Sequence, residues 1–422
     1  MRIPQSIRLG EPSHLFEQLA VGLYLLHMAV MADLTACFPI LGPLRLPSFL
    51  LVALLAFLAV FGRLLRKGIP LRPFLFYLAY FAVVLSGALY SQENLPYIRD
   101  ILFTGSFIKY SLIFSALFLW EDEPDVRIRQ LTVIAVAAML VYQLGIARGI
   151  YYNETANVLE YMTVGYGMAP WWIILAQGIF YYRSKLAKLL CLLGCLYFGA
   201  IIAVYGNRGA LVVLILSVAV FLLAYLPLTK LVLTGVAALA ALAAFLAFLE
   251  PILSIAGTVL HMDLTQSRNF RLLLEGELTY DSGRMPIYRA CLKAILDHPL
   301  LGKGVGGDRA ILPNGSYAHN IILELCVSLG LVVGILVFAW LLYIGLRMMF
   351  RCRDRNWRAL FLPFYVFSMG SLFFSGSLYE SAHLMAAIVI YLSYTACYRE
   401  TAFTLPAKEP FREYQNHPTN AI

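Results

Sequence analysis

Residues 187–226 read AKLLCLLGCLYFGAIIAVYGNRGALVVLILSVAVFLLAYL, and this stretch decides the fold. It contains two long apolar runs that are separated only by a short polar turn around Gly206, Asn207 and Arg208. A helix of about 20 mostly apolar residues is long enough to cross a membrane. The stretch therefore predicts two membrane-spanning helices joined in a tight hairpin.

The rest of the chain has the same character. Of its 422 residues, 61% are hydrophobic and 13% are charged, and the mean hydropathy is +0.77. Soluble domains average about 45–50% apolar and about 25% charged residues. The sequence predicts an all-α polytopic membrane protein with about 12 transmembrane helices. The predicted spans are 16–37, 46–62, 71–90, 101–120, 130–147, 164–182, 187–205, 209–226, 230–249, 320–346, 359–376 and 382–398.

The basic residues predict the orientation of these spans. An even number of spans places both termini on one side of the membrane. If that side is cytoplasmic, 20 of the 32 Lys and Arg residues fall in cytoplasmic segments, and seven of the others lie in one long external loop. Cytoplasmic loops carry an excess of basic residues. We therefore expect cytoplasmic termini, and the net charge of +8 does not predict a nucleic-acid partner.

This topology divides the chain into four parts. They are transmembrane helices 1–9 (1–249), a large external loop (250–319), transmembrane helices 10–12 (320–398) and a cytoplasmic tail (399–422). Within the loop, RMPIYRACLKAILDHP (284–299) has apolar residues at helical spacing. Its predicted apolar face is Met285, Tyr288, Cys291, Leu292, Ile295 and Leu296. We expect an amphipathic helix that lies on the outer leaflet or against the bundle.

Neither the cysteines nor the external carboxylates indicate a metal site. The seven cysteines lack metal-ligand spacing and show no disulfide framework. Cys191 and Cys195 are four residues apart in an apolar span, which indicates packing. Asp297 and Asp308 are isolated in the sequence. We therefore predict no metal and no other cofactor.

Two external arginines are candidates for anion binding. Arg208 lies in the hairpin turn, where it either marks the membrane boundary or has a function. Arg284 opens the amphipathic helix, and a helix N-terminus favours anions because its backbone N–H groups are unpaired. The arginine fork matches phosphate oxygens, although an ordinary solvent-facing arginine would fit the same position.

A histidine lies where polar loop meets apolar run in GSYAHNIILELC (315–326). A side chain that titrates near neutral pH could act as a general base, so His319 is a catalytic candidate. The alternative is a histidine that is hydrogen-bonded at a helix start. The preceding LLGKGVGGDR (300–309) has four glycines but lacks the strand and the Lys-Ser/Thr of a phosphate loop. We interpret it as a flexible connector.

Four further residues are possible supporting groups. Asn320 and Arg309 lie beside the motifs above. Lys109 and Glu324 are ionisable residues within predicted spans, which are costly and often functional. They could pair with each other, or Glu324 could orient His319 from one turn below.

Three segments resemble the bacterial O-antigen ligase and polymerase family. NRGALV (207–212) is similar to its external arginine turn, and SGRMPIYRACLKAILDHPLLGKGVGG (282–307) resembles its characteristic loop segment. AHNIILELCVSLGLVVG (318–334) resembles its His-Asn helix start. The resemblance is best from about 200 to 335. Tyr288 departs from it, since the family more often has tryptophan there.

The resemblance implies a GT-C-like glycosyltransferase in the bacterial inner membrane, with its active site on the periplasmic side. The donor would be an undecaprenyl-diphosphate-linked glycan, bound through its diphosphate by Arg208 and Arg284. His319 would take the proton of the acceptor hydroxyl in a metal-independent, inverting transfer. Membrane lipids would be further partners.

The sequence is compatible with three activities. A ligase would transfer the glycan to lipid A-core, and a polymerase would transfer it to another lipid-linked repeat. One dominant external loop favours the ligase, because the polymerases often carry two sizeable arginine-rich loops. The third activity is transport of a lipid-linked glycan, which should leave a polar path across the bilayer.

Overall fold

The computed structural model describes residues 12–104, 111–153, 158–159, 161–260, 268–275 and 283–403. Most of these residues are α-helical. The strands within these ranges are β1 (Tyr152–Asn153) and β2 (Val158–Leu159), which pair antiparallel. The all-α class predicted from composition is therefore confirmed.

The helices follow one another with short connections. The first part of the chain forms α1 (Pro12–Cys37), α2 (Gly42–Lys67), α3 (Leu71–Tyr90), α4 (Leu95–Arg99), α5 (Ile113–Ala116) and α6 (Pro124–Ala147). The central part forms α7 (Tyr161–Tyr181), α8 (Lys185–Tyr205), α9 (Arg208–Tyr225), α10 (Leu228–Ala247), α11 (Leu249–Leu260) and α12 (Arg268–Leu274). The last part forms α13 (Arg284–Asp297), α14 (Gly307–Ile311), α15 (Ile321–Leu329), α16 (Leu331–Phe350), α17 (Arg355–Phe374) and α18 (Ala382–Phe403).

Eight described helices are long and apolar enough to cross a membrane, which makes the chain a multi-pass membrane protein. They are α1, α2, α3, α6, α8, α9, α16 and α17. Shorter apolar stretches lie in α10 (Leu228–Ala237) and α18 (Ala382–Ala396). The predicted hairpin is present, because α8 ends at Tyr205 and α9 begins at Arg208. Of the eight, α17 is the most enclosed, with 72% of its apolar window buried.

Two of the predicted spans depart from one regular α-helix within the residues that the structure describes. The fourth overlaps a π-helical segment, Asp100–Thr104, and its described α-helical part is α5. Lys109 falls between them, outside the described residues. The tenth is divided into α15 and α16 at Gly330, whose φ is +81°. That backbone conformation is open to glycine and strained for other residues, and a hydropathy profile does not detect it.

The glycine-rich loop before α14 is packed tightly against α15. Lys303 N donates to Val327 O at 2.7 Å, and Gly304 N donates to Ser328 O at 3.0 Å. A Cβ atom at Gly302 would lie 2.5 Å from Gly330 N. The prediction of a flexible connector is therefore wrong. The glycines provide positive φ and close backbone approach.

Gly330→Ala is expected to lower the free energy of unfolding by at least about 2 kcal/mol, from strain together with overlap. A Cβ there would lie 2.3 Å from Leu300 O. Gly68 is the matched control. Its backbone is nearly the same, with φ 76° and ψ 177° against 81° and 166°, but its Cβ would meet no atom within 4 Å. Thermal unfolding in detergent compares the two variants, and equal losses would contradict this account.

The amphipathic helix predicted from 284 is α13, and its faces differ in part from the prediction. Cys291 and Ile295 are buried against α15 and its neighbours, as predicted. Leu292 and Leu296 are 51% and 78% exposed. They lie on the other side of the helix, since the packed side continues through Ala294. The helix thus packs against the protein with one side and leaves apolar side chains exposed on another.

Candidate functional site

The arginine turn between α8 and α9 is fixed from two directions. Asn207 caps α9, because its side-chain oxygen accepts a hydrogen bond from Ala210 N at 2.6 Å. Asn269 of α12 donates to the carbonyl oxygens of Ala203 and Gly206 at 2.9 and 2.8 Å. These contacts hold the first residue of α9, Arg208, at the end of the bundle from which the long loop emerges.

Tyr166 of α7 links this turn to the other candidate residues. The Tyr166 hydroxyl packs against Gly209, the residue that follows Arg208, since a Cβ atom at Gly209 would lie 2.3 Å from this hydroxyl. Tyr166 also lies within electrostatic range of Arg284 and of Tyr317. One side chain thereby connects the α9 N-terminus, the α13 N-terminus and the loop that carries the histidine.

His319 has an unusual backbone and a confined ring. Its φ is +52°, a conformation that is uncommon for residues other than glycine and that often marks a functional site. Its ring centroid lies 3.9 Å from that of Tyr317. The Tyr317 hydroxyl is 3.1 Å from Ser375 Oγ and accepts from Gly376 N at 3.1 Å. The turn between α17 and α18 therefore helps to hold the histidine ring.

The imidazole of His319 is neutral at pH 7 in the free protein. Burial, then the positive charges of Arg284 and Arg309, lower its pKa to about 4. Its Nδ1 atom is buried and has no hydrogen-bond partner in the described part of the chain. This pKa differs from the expectation that the histidine titrates near neutral pH, because burial and then the two guanidinium groups oppose its protonation.

Asn320 serves as the helix cap of α15. Its side-chain oxygen accepts hydrogen bonds from Ile322 N at 3.0 Å and Leu323 N at 3.2 Å. An N-cap side chain satisfies backbone donors that have no partner within the helix. Asn320 thus fixes where α15 begins, and so where His319 stands.

Arg309 lies at the centre of a group of carboxylates. Its Nη1 is 3.1 Å from Asp308 and 3.8 Å from Glu324, and its Nη2 is 3.4 Å from Glu380. Its guanidinium also lies 3.6 Å from the centroid of the Tyr97 ring, close enough for a cation–π contact. The three carboxylates therefore surround the guanidinium of Arg309, whose side chain is only 13% exposed.

Asp308 is not the isolated carboxylate that its sequence position suggests. It is 1% exposed and accepts a hydrogen bond from Ala318 N at 3.2 Å. This bond ties the α14 turn to the residue that precedes His319. Arg309, through Asp308, therefore positions the histidine loop.

Glu324 is held by the turn between α17 and α18. Its carboxylate accepts hydrogen bonds from the Ser377 hydroxyl and, at 2.8 Å, from Leu378 N. These bonds show Glu324 anchoring the turn to α15. None of the described hydrogen bonds joins Glu324 to His319, so they do not support the alternative in which Glu324 orients the histidine. The pairing of Glu324 with Lys109 stays a prediction, because Lys109 lies outside the described residues.

The structure thus brings Arg284, Arg309 and His319 into one electrostatic environment, with Arg208 joined to it through Tyr166. Sequence reasoning missed Tyr166, Tyr317 and the role of Asp308. Tyr317 lies two residues before His319, which was a usable signal. Among the residues that the structure describes, no group of three or more His, Cys, Asp or Glu side chains is placed to hold a metal ion.

The helical fold and this site define a polytopic membrane protein that gathers arginines, a histidine and buried carboxylates at one end of its bundle. Residues 193–339, about a third of the chain, match the model of a protein family described as O-antigen ligase. The matched range contains every candidate residue except Lys109. No match was found among curated proteins. The family match confirms the resemblance and supports a membrane glycosyltransferase of the O-antigen ligase or polymerase type.

Proposed function

We propose that this protein is an O-antigen ligase. It transfers a glycan from undecaprenyl diphosphate to lipid A-core at the periplasmic face of the bacterial inner membrane. The observation that carries the proposal is the placement of His319 within the field of Arg284 and Arg309, inside the stretch that matches the family. An anion-binding group and a neutral base next to each other are what this transfer requires.

The diphosphate of the donor binds at the N-termini of α9 and α13. Arg208 and Arg284 are the first residues of these two helices. Each combines a forked guanidinium with a helix end whose partial charge is positive. Arg309 is engaged by carboxylates, so we assign it a positioning role.

The transfer is a single displacement. The acceptor hydroxyl oxygen attacks the anomeric carbon of the donor sugar, and the bond from that carbon to the diphosphate oxygen breaks. The diphosphate leaves with the electron pair, and the hydroxyl proton moves to His319. Attack from the face opposite the leaving group inverts the anomeric configuration. The arginines stabilise the charge that develops on the diphosphate, so the reaction proceeds without a metal ion.

Donor binding strengthens His319 as a base. In the free protein, the positive charges of Arg284 and Arg309 help to keep its pKa at about 4. A bound diphosphate brings negative charge to the same place and offsets them. The proton then moves as the new C–O bond forms, when the attacking hydroxyl becomes acidic.

This account predicts two different acid limbs in the pH dependence. The limb of kcat/KM reports the free enzyme and is expected near pH 4, since His319 stays neutral until the pH falls to its lowered pKa. The limb of kcat reports the donor complex and is expected at higher pH. The donor does not titrate in this range, because its diphosphate is esterified at both ends. Coincident limbs near pH 6.5 would count against the proposed role of the arginine charges.

Arg284→Gln is expected to weaken donor binding by about tenfold to a hundredfold, because a charge-assisted hydrogen bond contributes about 1.5–3 kcal/mol. Arg289→Gln is the matched control. Arg289 is exposed and lies on the same helix, and its substitution removes the same charge. The measurement is the KM for the lipid-linked donor in detergent. Equal effects of both substitutions would mean that general positive charge, not Arg284, attracts the donor.

Polymerisation of lipid-linked repeats is the alternative activity, since the family match supports both types of transfer. Purified protein with EDTA is given undecaprenyl-diphosphate glycan and either lipid A-core or a second lipid-linked repeat. Product with lipid A-core alone is the expected result. Product only with the second repeat would establish a polymerase. No product in either tube would remove the transferase proposal and favour lipid-linked glycan transport.

A further inference from the structure

A second basic site lies at the opposite end of the bundle from His319. A cavity of about 1070 Å³ opens where α3, α16 and α18 meet the turn between α16 and α17. Among the residues that the structure describes, the lining includes four arginines, Arg72, Arg347, Arg351 and Arg353, and no Asp or Glu. The 20-residue helix α17 begins just after Arg353 of this cavity and ends just before Ser375, which contacts Tyr317, so at about 1.5 Å per residue the cavity lies about 30 Å from the His319 end.

The arginines of this turn serve two different purposes. Arg355 donates to the carbonyl oxygens of Phe180 and Tyr181 at 2.7 Å each, so it joins α17 to α7. Arg358 lies 4.7 Å from the Tyr225 ring centroid. These two stabilise the fold. By contrast, Arg347, Arg351 and Arg353, which line the cavity, have no ion pair with a carboxylate among the residues that the structure describes.

Tyrosines orient one of the cavity arginines. Arg347 Nη1 donates to the hydroxyl oxygens of Tyr343 and Tyr391 at 3.0 and 3.2 Å. A guanidinium held in this way has less side-chain entropy to lose when an anion binds. Arginines that only marked the membrane boundary would need neither a shared cavity nor aromatic support.

We propose that this cavity binds the headgroup of an anionic phospholipid. Guanidinium forks match phosphate oxygens in two hydrogen bonds, and basic cavities between membrane helices suit such headgroups. Leu346 and Phe350, which also line the cavity, are 52% and 60% exposed and offer an apolar surface for acyl chains. The volume and the number of arginines favour a headgroup with two phosphates. The basic residues predict that this end faces the cytoplasmic leaflet.

The test measures the binding of phosphate in three chemical forms to the detergent-solubilised full chain by native mass spectrometry. The forms are diphosphatidylglycerol, zwitterionic phosphatidylethanolamine and free inorganic phosphate. Wild-type protein is expected to bind diphosphatidylglycerol at least tenfold more tightly than phosphatidylethanolamine, with no displacement by inorganic phosphate. Displacement by inorganic phosphate at similar concentration would show a soluble-anion site and overturn the lipid assignment, as would equal binding of both lipids.

The matched variants separate this cavity from general surface charge. The triple substitution Arg347→Gln, Arg351→Gln and Arg353→Gln is expected to weaken diphosphatidylglycerol binding at least tenfold, since each basic residue contributes roughly fivefold. The control, Arg183→Gln with Lys185→Gln and Lys188→Gln, removes three exposed charges at the same end. Equal losses in both triples would overturn the proposal.

Further variants test whether the triple substitution acts only by unfolding the protein, and whether the lipid binds at the His319 end instead. Arg351→Gln and Arg353→Gln change exposed side chains, so they are expected to fold and to weaken binding by roughly fivefold each. Unchanged binding in both singles would contradict the site. Arg284→Gln is expected to keep full lipid binding. Loss of binding in that variant would place the lipid at the His319 end instead.

Discussion

His319→Asn is expected to lower kcat for glycan transfer about a hundredfold to ten-thousandfold, the usual contribution of a positioned general base. Asparagine is chosen because it tolerates a φ of +52° better than alanine does. It therefore keeps the loop conformation while removing the proton acceptor. The affinity for the donor should change little, since the histidine is neutral in the free protein and adds no positive charge that attracts the diphosphate.

The control for this prediction is His298→Asn. His298 is exposed and follows the last residue of α13. Its replacement is expected to leave kcat unchanged. If His319→Asn retains more than about a tenth of wild-type kcat, His319 is not the base. It would then be a histidine that only completes the start of α15.

Arg309→Gln is expected to lower the free energy of unfolding by about 3–5 kcal/mol, because it leaves buried carboxylates without their cation. Asp308 and Glu324 are 1% and 2% exposed, and Arg309 itself is 13% exposed. The same substitution should also reduce activity, since Asp308 holds the backbone of Ala318 beside His319. Thermal unfolding in detergent measures the first effect, and the transfer assay measures the second.

An exposed ion pair provides the comparison. Arg129 and Asp125 lie one helical turn apart, and Arg129 is 65% exposed. Arg129→Gln is expected to cost less than about 1 kcal/mol, since such pairs contribute little. Adding Glu324→Gln to Arg309→Gln should restore part of the lost stability by removing one uncompensated charge. A loss from Arg309→Gln no larger than that from Arg129→Gln would contradict the structure described for this cluster.

Much of the fold follows from local sequence. The α8–α9 hairpin is predictable because apolar runs about as long as the membrane core is thick have few alternatives to crossing it. The position of α13 follows from helical periodicity. The break at Gly330 does not, because its neighbours Leu329 and Leu331 continue the apolar run. Only the packing of Leu300 against this glycine shows why the chain turns there.

The candidate site was predictable where its residues are close in sequence. Arg208, Arg284 and His319 each follow a turn and open an apolar or amphipathic segment. The contacts that link this cluster to the turn between α17 and α18 were not predictable, because the partners are distant in the chain. Arg309 and Glu380 are 71 residues apart, and Glu324 and Ser377 are 53 apart. The lowered pKa of His319 depends on the same tertiary contacts.

The most direct test of the central claim is a cryo-electron microscopy structure of the His319→Asn variant with undecaprenyl-diphosphate glycan bound. The account predicts both phosphates in hydrogen-bond contact with Arg208 and Arg284, and the anomeric carbon facing residue 319. Such a complex would join the anion site and the base in one reaction geometry. A donor whose diphosphate lies away from both arginines would contradict the proposed active site.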